Sequence, residues 1–284
     1  MPKLGTMDKE ILSGHIGFQN RTKENAKLLI YNRVPKSGSS MLMGKIKEQR
    51  SKTNRFEFKQ NAGFWKRANS VTDEKNIVDG WKKSRQLNTY MIWEKHMYFI
   101  DVESYDPNFQ VNWMNQVRDP IERYISQFYY LRSKHRLGKN KEVPEFVWKR
   151  NLNDCLTNDE PNCTLDPEYL TEQQYTYFCG SAQECRTIGN RDGLQRAKYN
   201  AEKYYSVIGV LEELELSFKV MELYLPNYFQ NFTQLGARSD QTNHKAELDL
   251  TNLKKVEKWF ETDIEFYQFT KQRLHSQAKN NGLL

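Results

Sequence analysis

The chain has 284 residues, room for one large domain or two small ones, and its 38% hydrophobic and 13% aromatic content excludes a disordered polymer. Lys and Arg number 43 against 36 Asp and Glu, a formal charge of +7 that points to an anionic partner: nucleic acid, an acidic membrane or an acidic polymer. No apolar run approaches the roughly 18 residues of a membrane span, and Met1–Asn25 lacks the apolar centre of a signal peptide. The chain therefore reads as soluble, with residues 1–25 a flexible leader and 26–284 one domain.

Leu28, Leu29, Ile30 and Tyr31 predict a first strand within Lys27–Val34. The stretch from Pro35 to Ser40 interrupts it, and Met41, Leu42, Lys45 and Ile46 then recur at helical spacing. Gly38 frees the backbone for a tight turn, and Ser39 or Ser40 can cap a helix over Ser39–Arg50. The open end of such a helix offers unpaired N–H groups to an anion, and Lys36 adds a mobile positive charge. This is phosphate-loop logic without the Walker pattern, because no glycine stands five residues before Gly38 and the lysine precedes the glycine. From these residues alone, an ordinary strand, turn and helix with surface serines reads the same way.

Residues 51–70 are basic and aromatic and predict short strands and loops. A helix is expected over Thr72–Arg85 and a second strand over Thr89–Trp93, leading to Glu94, Lys95 and His96. Val111–Val117 reads as a third strand ending at Arg118. Ile121, Tyr124, Ile125, Phe128 and Leu131 then mark a helix over Ile121–Arg132. Residues 133–165 make a basic and then cysteine-bearing excursion. Leu170–Phe178 and Leu194–Tyr205 read as helices, Ser206–Val210 as a short strand, and Leu211–Leu225 as a helix stopped by Pro226. A long amphipathic helix near Leu253–Leu274 closes the chain. Strands alternating with helices predict an α/β fold with a central parallel sheet flanked by helices.

The four cysteines permit three connectivities, and their short spacings favour Cys155 with Cys163 and Cys179 with Cys185. The spacings fit no C-x-x-C zinc site, and no metal-ligand cluster stands out. Sequons at Asn20, Asn162 and Asn231, together with the paired cysteines, lean toward a secretory compartment.

Taken together, "YNRVPKSGSS", "KHMYF", "NQVRDPIERYISQFYYLR", "YFCGSAQEC", "RAKYN" and "GVLEELE" make most of the chain resemble the glycosaminoglycan uronosyl 2-O-sulfotransferases. The resemblance implies a Golgi-lumen enzyme whose N-terminal membrane anchor is missing from this chain. Its donor would be 3′-phosphoadenosine 5′-phosphosulfate (PAPS), leaving as PAP, with no metal. Lys36, Ser37, Gly38, Ser39 and Ser40 would then hold the bridging oxygen and 5′-phosphate, while Arg118 and Ser126 bind the 3′-phosphate. His96 matches the catalytic base, and Arg33 would face the acceptor's anionic groups. Arg132, Arg136 and the neighbouring Lys134, His135, Lys139 and Lys141 fall where the family recognises its polymer, though an ordinary solvated basic loop reads equally well. A salt bridge to Asp119 or Glu122 is the plainer reading of Arg118.

One departure stands out: the family often carries a second histidine two residues before the base, and this chain has Glu94, which makes Glu94 a rival base or an acceptor contact. A homotrimer involving the C-terminal segment is a further implication. For the acceptor, "KSGS" and "YFCGSAQECR" tilt slightly toward chondroitin or dermatan sulfate, with heparan sulfate a close second. The competing classes are a non-catalytic glycosaminoglycan-binding protein with a vestigial nucleotide site, a P-loop kinase-like enzyme, and a nucleic-acid binder. The lysine order and the absence of a clear acidic strand end for magnesium oppose the kinase. The cysteine pairs and sequons oppose nucleic acid.

Overall fold

The computed structural model describes residues 22–60, 69–84, 89–132, 149–160, 163, 173–236 and 247–284. In chain order these form β1 (Leu28–Tyr31), α1 (Ser39–Thr53), β2 (Phe56–Gln60), α2 (Val71–Ser84), β3 (Tyr90–Glu94), the single turn α3 (Val102–Tyr105), β4 (Asn112–Val117) and α4 (Pro120–Leu131). After these come α5 (Leu152–Thr157), α6 (Gln174–Cys179), α7 (Gln183–Arg186), α8 (Arg191–Tyr204) and β5 (Tyr205–Val210). The chain then continues through α9 (Leu214–Tyr224), α10 (Pro226–Phe229), α11 (Leu250–Trp259) and α12 (Glu261–Asn280).

The five strands make one parallel sheet in the order β2-β3-β1-β4-β5. The apolar runs of β1, β4 and β5 are buried along their whole length, as expected of strands covered by helices on both faces. β2 is an edge strand with Lys59 and Gln60 exposed, which discourages pairing with another chain. The chain leaves β1 toward β3 and β2, and leaves β4 in the opposite direction toward β5. β1 and β4 are neighbours, so the switch point of the topology lies between them, where open α/β sheets form a ligand crevice at the strand C-termini.

An aromatic cluster fills the middle of the core: Trp113 packs against Trp81, Phe99 and Tyr205. A separate, smaller core gathers Tyr124 and Phe128 of α4, Cys155 of α5, and Val256 and Phe260 near the C-terminus. Both disulfides form as the spacings predict, Cys155–Cys163 inside this smaller core and Cys179–Cys185 between α6 and α7.

The elements depart from expectation at several boundaries: the first strand ends at Tyr31 and not Val34, and Leu211–Glu213 form a 3-10 turn ahead of α9. The long closing helix is two helices, because Phe260 (φ −103°, ψ 16°) leaves helical geometry and drops its ring onto Tyr124, 5.5 Å between centroids. Asp249 caps the first of the two by accepting from Asn252 N–H. The predicted serine cap of α1 is also absent. Gly38 occupies the cap position in the left-handed region (φ 75°), so Ser39 and Ser40 already belong to the first helical turn.

Candidate functional site

Three loops meet at the C-terminal edge around the switch point: Asn32–Gly38 after β1, Lys95–His96 after β3, and Arg118–Asp119 after β4. A floor of buried amides supports them. Asn32 gives Nδ2 to Tyr177 C=O (2.9 Å) and receives Tyr205 O–H (3.0 Å) and Asn115 Nδ2 (3.0 Å) on its Oδ1. With its donors and acceptors occupied, this floor is rigid where a loop would otherwise drift.

Lys36 (φ 63°) and Gly38 (φ 75°) both adopt left-handed backbone, which wraps Ser37 between them and turns the chain straight into α1. A left-handed lysine is strained and persists only where the surroundings over-determine it. Glycine is favoured at position 38 by its φ, and a Cβ there would also displace the side-chain ends of Leu211 (Cδ1) and Gln116 (Nε2, 2.8 Å away). Ser37 is buried and held on both sides, its carbonyl accepting from Gln116 Nε2 (2.6 Å) and its hydroxyl donating to Gln174 Oε1 (3.3 Å). The result is a preformed loop capped by a helix N-terminus, a concave N–H surface suited to a phosphate or sulfate.

Arg118 borders this loop. Its Nη1 donates to Lys36 C=O (3.4 Å), its Nη2 pairs with Glu122 (3.0 Å), and its Nε faces the Glu212 carboxylate at 4.0 Å. The plain salt-bridge reading is therefore realised with Glu122, and the same contact aims the guanidinium along one face of α4. Glu122, Ser126 and Tyr130 follow at four-residue spacing on that face, and Lys36 Nζ sits 3.9 Å from the Tyr130 ring centroid. Glu212, just beyond β5, accepts from Asp119 N–H (3.1 Å) and Tyr267 O–H (3.1 Å), fixing the start of α4.

His96 lies two residues past β3, and its Nδ1 is 2.9 Å from the carbonyl of Arg33. A carbonyl only accepts, so Nδ1 carries a proton, and the neutral form of the ring then has its lone pair on Nε2, as a general base requires. Glu94 is fully buried and forms an ion pair with Arg33, whose Nη1 also reaches Ser39 Oγ (3.4 Å). Burial pushes the Glu94 carboxyl up, and the Arg33 charge partly opposes that. This places Glu94 as the counter-ion of Arg33. His96 thus touches the Arg33 backbone and Arg118 the Lys36 backbone, both within the loop that follows β1.

Arg132 stands apart. It is buried, its guanidinium lies 3.7 Å from the Phe128 ring centroid and Nη1 reaches Phe128 C=O (3.3 Å), so it caps the end of α4. Arg136, with Lys134, His135, Lys139 and Lys141, lies outside the described residues. Among the described residues, the grouping of metal-ligand types is Cys155, Glu160 and Cys163, and a disulfide consumes both sulfurs. The residues that sequence reasoning missed are Gln116, Gln174, Tyr130 and Glu212. Each lies inside or beside a quoted motif, but a lone glutamine or tyrosine gives no local signal of its distant partner.

Comparison with known proteins agrees with this geometry. The sequence matches the family described as Sulfotransferase family over residues 21–270. It is 28% identical to "Uronyl 2-sulfotransferase homolog pip" of Drosophila melanogaster over 96% of this chain and 57% of that protein, so it spans little more than half that relative's length. It is also 28% identical to "Heparan sulfate 2-O-sulfotransferase 1" of Xenopus laevis, over 90% of this chain and 74% of that protein, and of Homo sapiens, over 92% and 75%.

Proposed function

From the premise that the chain belongs to the sulfotransferase family, we propose that it transfers a sulfuryl group from PAPS to the 2-hydroxyl of a uronic acid in a glycosaminoglycan. The observation that carries this reading is the convergence of His96, the Lys36–Ser40 loop and Arg118 at one switch point.

The residues suit a donor with an anion at each end. The loop's N–H surface and Lys36 fit a 5′-phosphosulfate, and the Arg118 guanidinium fits a 3′-phosphate, with Ser126 eight residues on along α4. PAPS would supply the sulfuryl group, with PAP as the leaving group. His96 takes the proton of the acceptor hydroxyl on Nε2 as the oxygen attacks, while the Arg33 carbonyl holds the ring and stabilises the imidazolium that forms. Lys36 offsets the charge developing on the bridging oxygen, and the rigid loop aligns the reactants. Alignment and charge stabilisation are what such a transfer demands of a protein. Arg33 presents its remaining guanidinium edge toward the acceptor's anionic groups, with Glu94 fixing its orientation.

The uronic 2-hydroxyl is favoured by the names of the similar proteins, and those names that specify a polymer specify heparan sulfate. The chondroitin or dermatan acceptor suggested by two short motifs is the alternative arm. The reading extends to a Golgi-lumen homotrimer, tested by light scattering of the purified chain. The deciding assay offers labelled PAPS with desulfated heparan, dermatan and chondroitin, followed by disaccharide analysis. Label on the uronic 2-position of one polymer is expected. PAP binding without transfer to any of them would instead favour a non-catalytic glycosaminoglycan-binding protein.

A further inference from the structure

We infer that Gln174 is a positioning residue that locks Arg118 to the phosphosulfate loop, so that the grip on the 3′-phosphate depends on a side chain that need not touch the nucleotide. The inference rests on the proposed reading of the loop and Arg118 as the two ends of a PAPS site.

Gln174 is the first residue of α6 and is fully buried. Its carboxamide uses both edges on one residue: Oε1 accepts from Arg118 N–H (2.9 Å) and Nε2 donates to Arg118 C=O (2.6 Å). This copies a strand partner at the point where β4 has ended and its ladder bonds to β5 have run out, and so fixes the peptide from which the guanidinium projects. The same Oε1 receives Ser37 Oγ (3.3 Å), so one planar group ties Arg118 to the residue enclosed by the left-handed Lys36 and Gly38. Gln116, one residue before the end of β4, holds Ser37 from the other side through its carbonyl (2.6 Å). α6 is anchored in turn, because Asp263 Oδ1 of α12 accepts from Tyr175 N–H (3.1 Å).

A buried carboxamide is expensive unless every edge is paired, and well-paired neutral hydrogen bonds give only modest net stability. The clamp therefore acts mainly on geometry: it makes the separation of the two anion sites a fixed property of the fold.

The test is calorimetry with PAP and with 5′-AMP, whose ratio of dissociation constants isolates the 3′-phosphate. In Gln174→Met, which removes both polar edges at similar volume, that ratio should fall about tenfold, over and above any loss of 5′-AMP affinity from the released Ser37 hydroxyl. In an Arg118→Ala background, Gln174→Met should add no further loss to the ratio, as for residues acting through one another. The KM for PAPS should rise more than kcat falls. If Gln174→Met does not fold, Gln174→Asn is measured the same way, since its shorter carboxamide cannot span both edges. A lowered Tm with an unchanged ratio would overturn the inference and leave the proposed function standing. Failure of the wild-type protein to bind PAP would overturn both.

Discussion

His96 and Glu94 sit two residues apart at the end of one strand, and their contacts give them opposite roles. The Arg33 carbonyl orients the imidazole with Nε2 left as an acceptor, as the proposed base requires, whereas the Arg33 side chain engages the Glu94 carboxylate away from solvent. His96→Ala should therefore leave PAP affinity near the wild-type level and reduce sulfate transfer about 10²–10⁴-fold, the usual contribution of a general base. Glu94→Gln keeps the shape and an acceptor for Arg33 but leaves the buried guanidinium without its counter-charge. It should cost less transfer than His96→Ala and show itself mainly as a raised KM for the polymer. Transfer assays beside PAP calorimetry on both variants decide the matter. A histidine variant that still turns over normally, beside a dead glutamate variant, would make Glu94 the base. Sequence alone leaves this rivalry open, since which carboxylate faces which cation depends on the pairing of β1 with β3.

At the scale of elements, strand ends are the part of the molecule most legible in the sequence. Apolar runs that give way to Lys36, Glu94 and Arg118 mark the C-terminal edge of the sheet, because buried parallel strands must shed their polar residues into the loops beyond. The cap of α1 is hidden from sequence reasoning because a left-handed Gly38 can begin a helix with no side chain, which the serines beside it conceal. The two glycines of this region should respond in opposite ways. Gly38→Ala forces an L-residue into the left-handed region and onto Leu211, and should destabilise by about 1–2 kcal/mol while weakening PAP binding. Gly44, inside α1 with open space around it, should tolerate alanine and gain about 0.5–1 kcal/mol. Urea unfolding of the two variants tests both signs.

α12 adds a pH dependence at the same scale. Burial pushes the Asp263 carboxyl up to about 6 from 3.8, against the pull of Arg123 and the N–H groups at the start of α6. The folded state thus binds that proton more tightly than the unfolded chain. Stability from this group is full below pH 3.8 and is lost as pH rises toward about 6. Asp263→Asn, which carries no charge, should gain stability relative to wild type as pH is raised through that window, measured by urea unfolding at each pH. A variant that instead falls further behind as pH rises would show that the ion pair with Arg123 outweighs burial.

Across the whole molecule, the proposed chemistry lies at one end of the sheet and the covalent decoration is expected at the other. α1 starts at the Lys36–Ser40 loop, and Gln49, ten residues on from Ser39 and about 15 Å along the axis, donates from Nε2 to Gln230 C=O (2.6 Å). Asn231 follows in an exposed left-handed turn (φ 57°), with Phe232 buried behind it and Thr233 completing the sequon. Of the three sequons, this one falls on described residues, and its place in the fold, unlike its pattern, is not readable from sequence. If the chain works in the secretory lumen, as its two disulfides suggest, Asn231 is open to glycosylation without crowding the crevice. Expression through the secretory route of a eukaryotic cell should give a glycan at Asn231, seen as a mass shift removed by an amide-cleaving glycosidase and lost in Asn231→Gln. That variant should retain wild-type transfer to the polymer, because the glycan stands roughly the length of α1 from the loop. An Asn231→Gln protein that folds normally but transfers poorly would place the polymer's path on this far face and refute the division of the molecule into a catalytic and a decorated end.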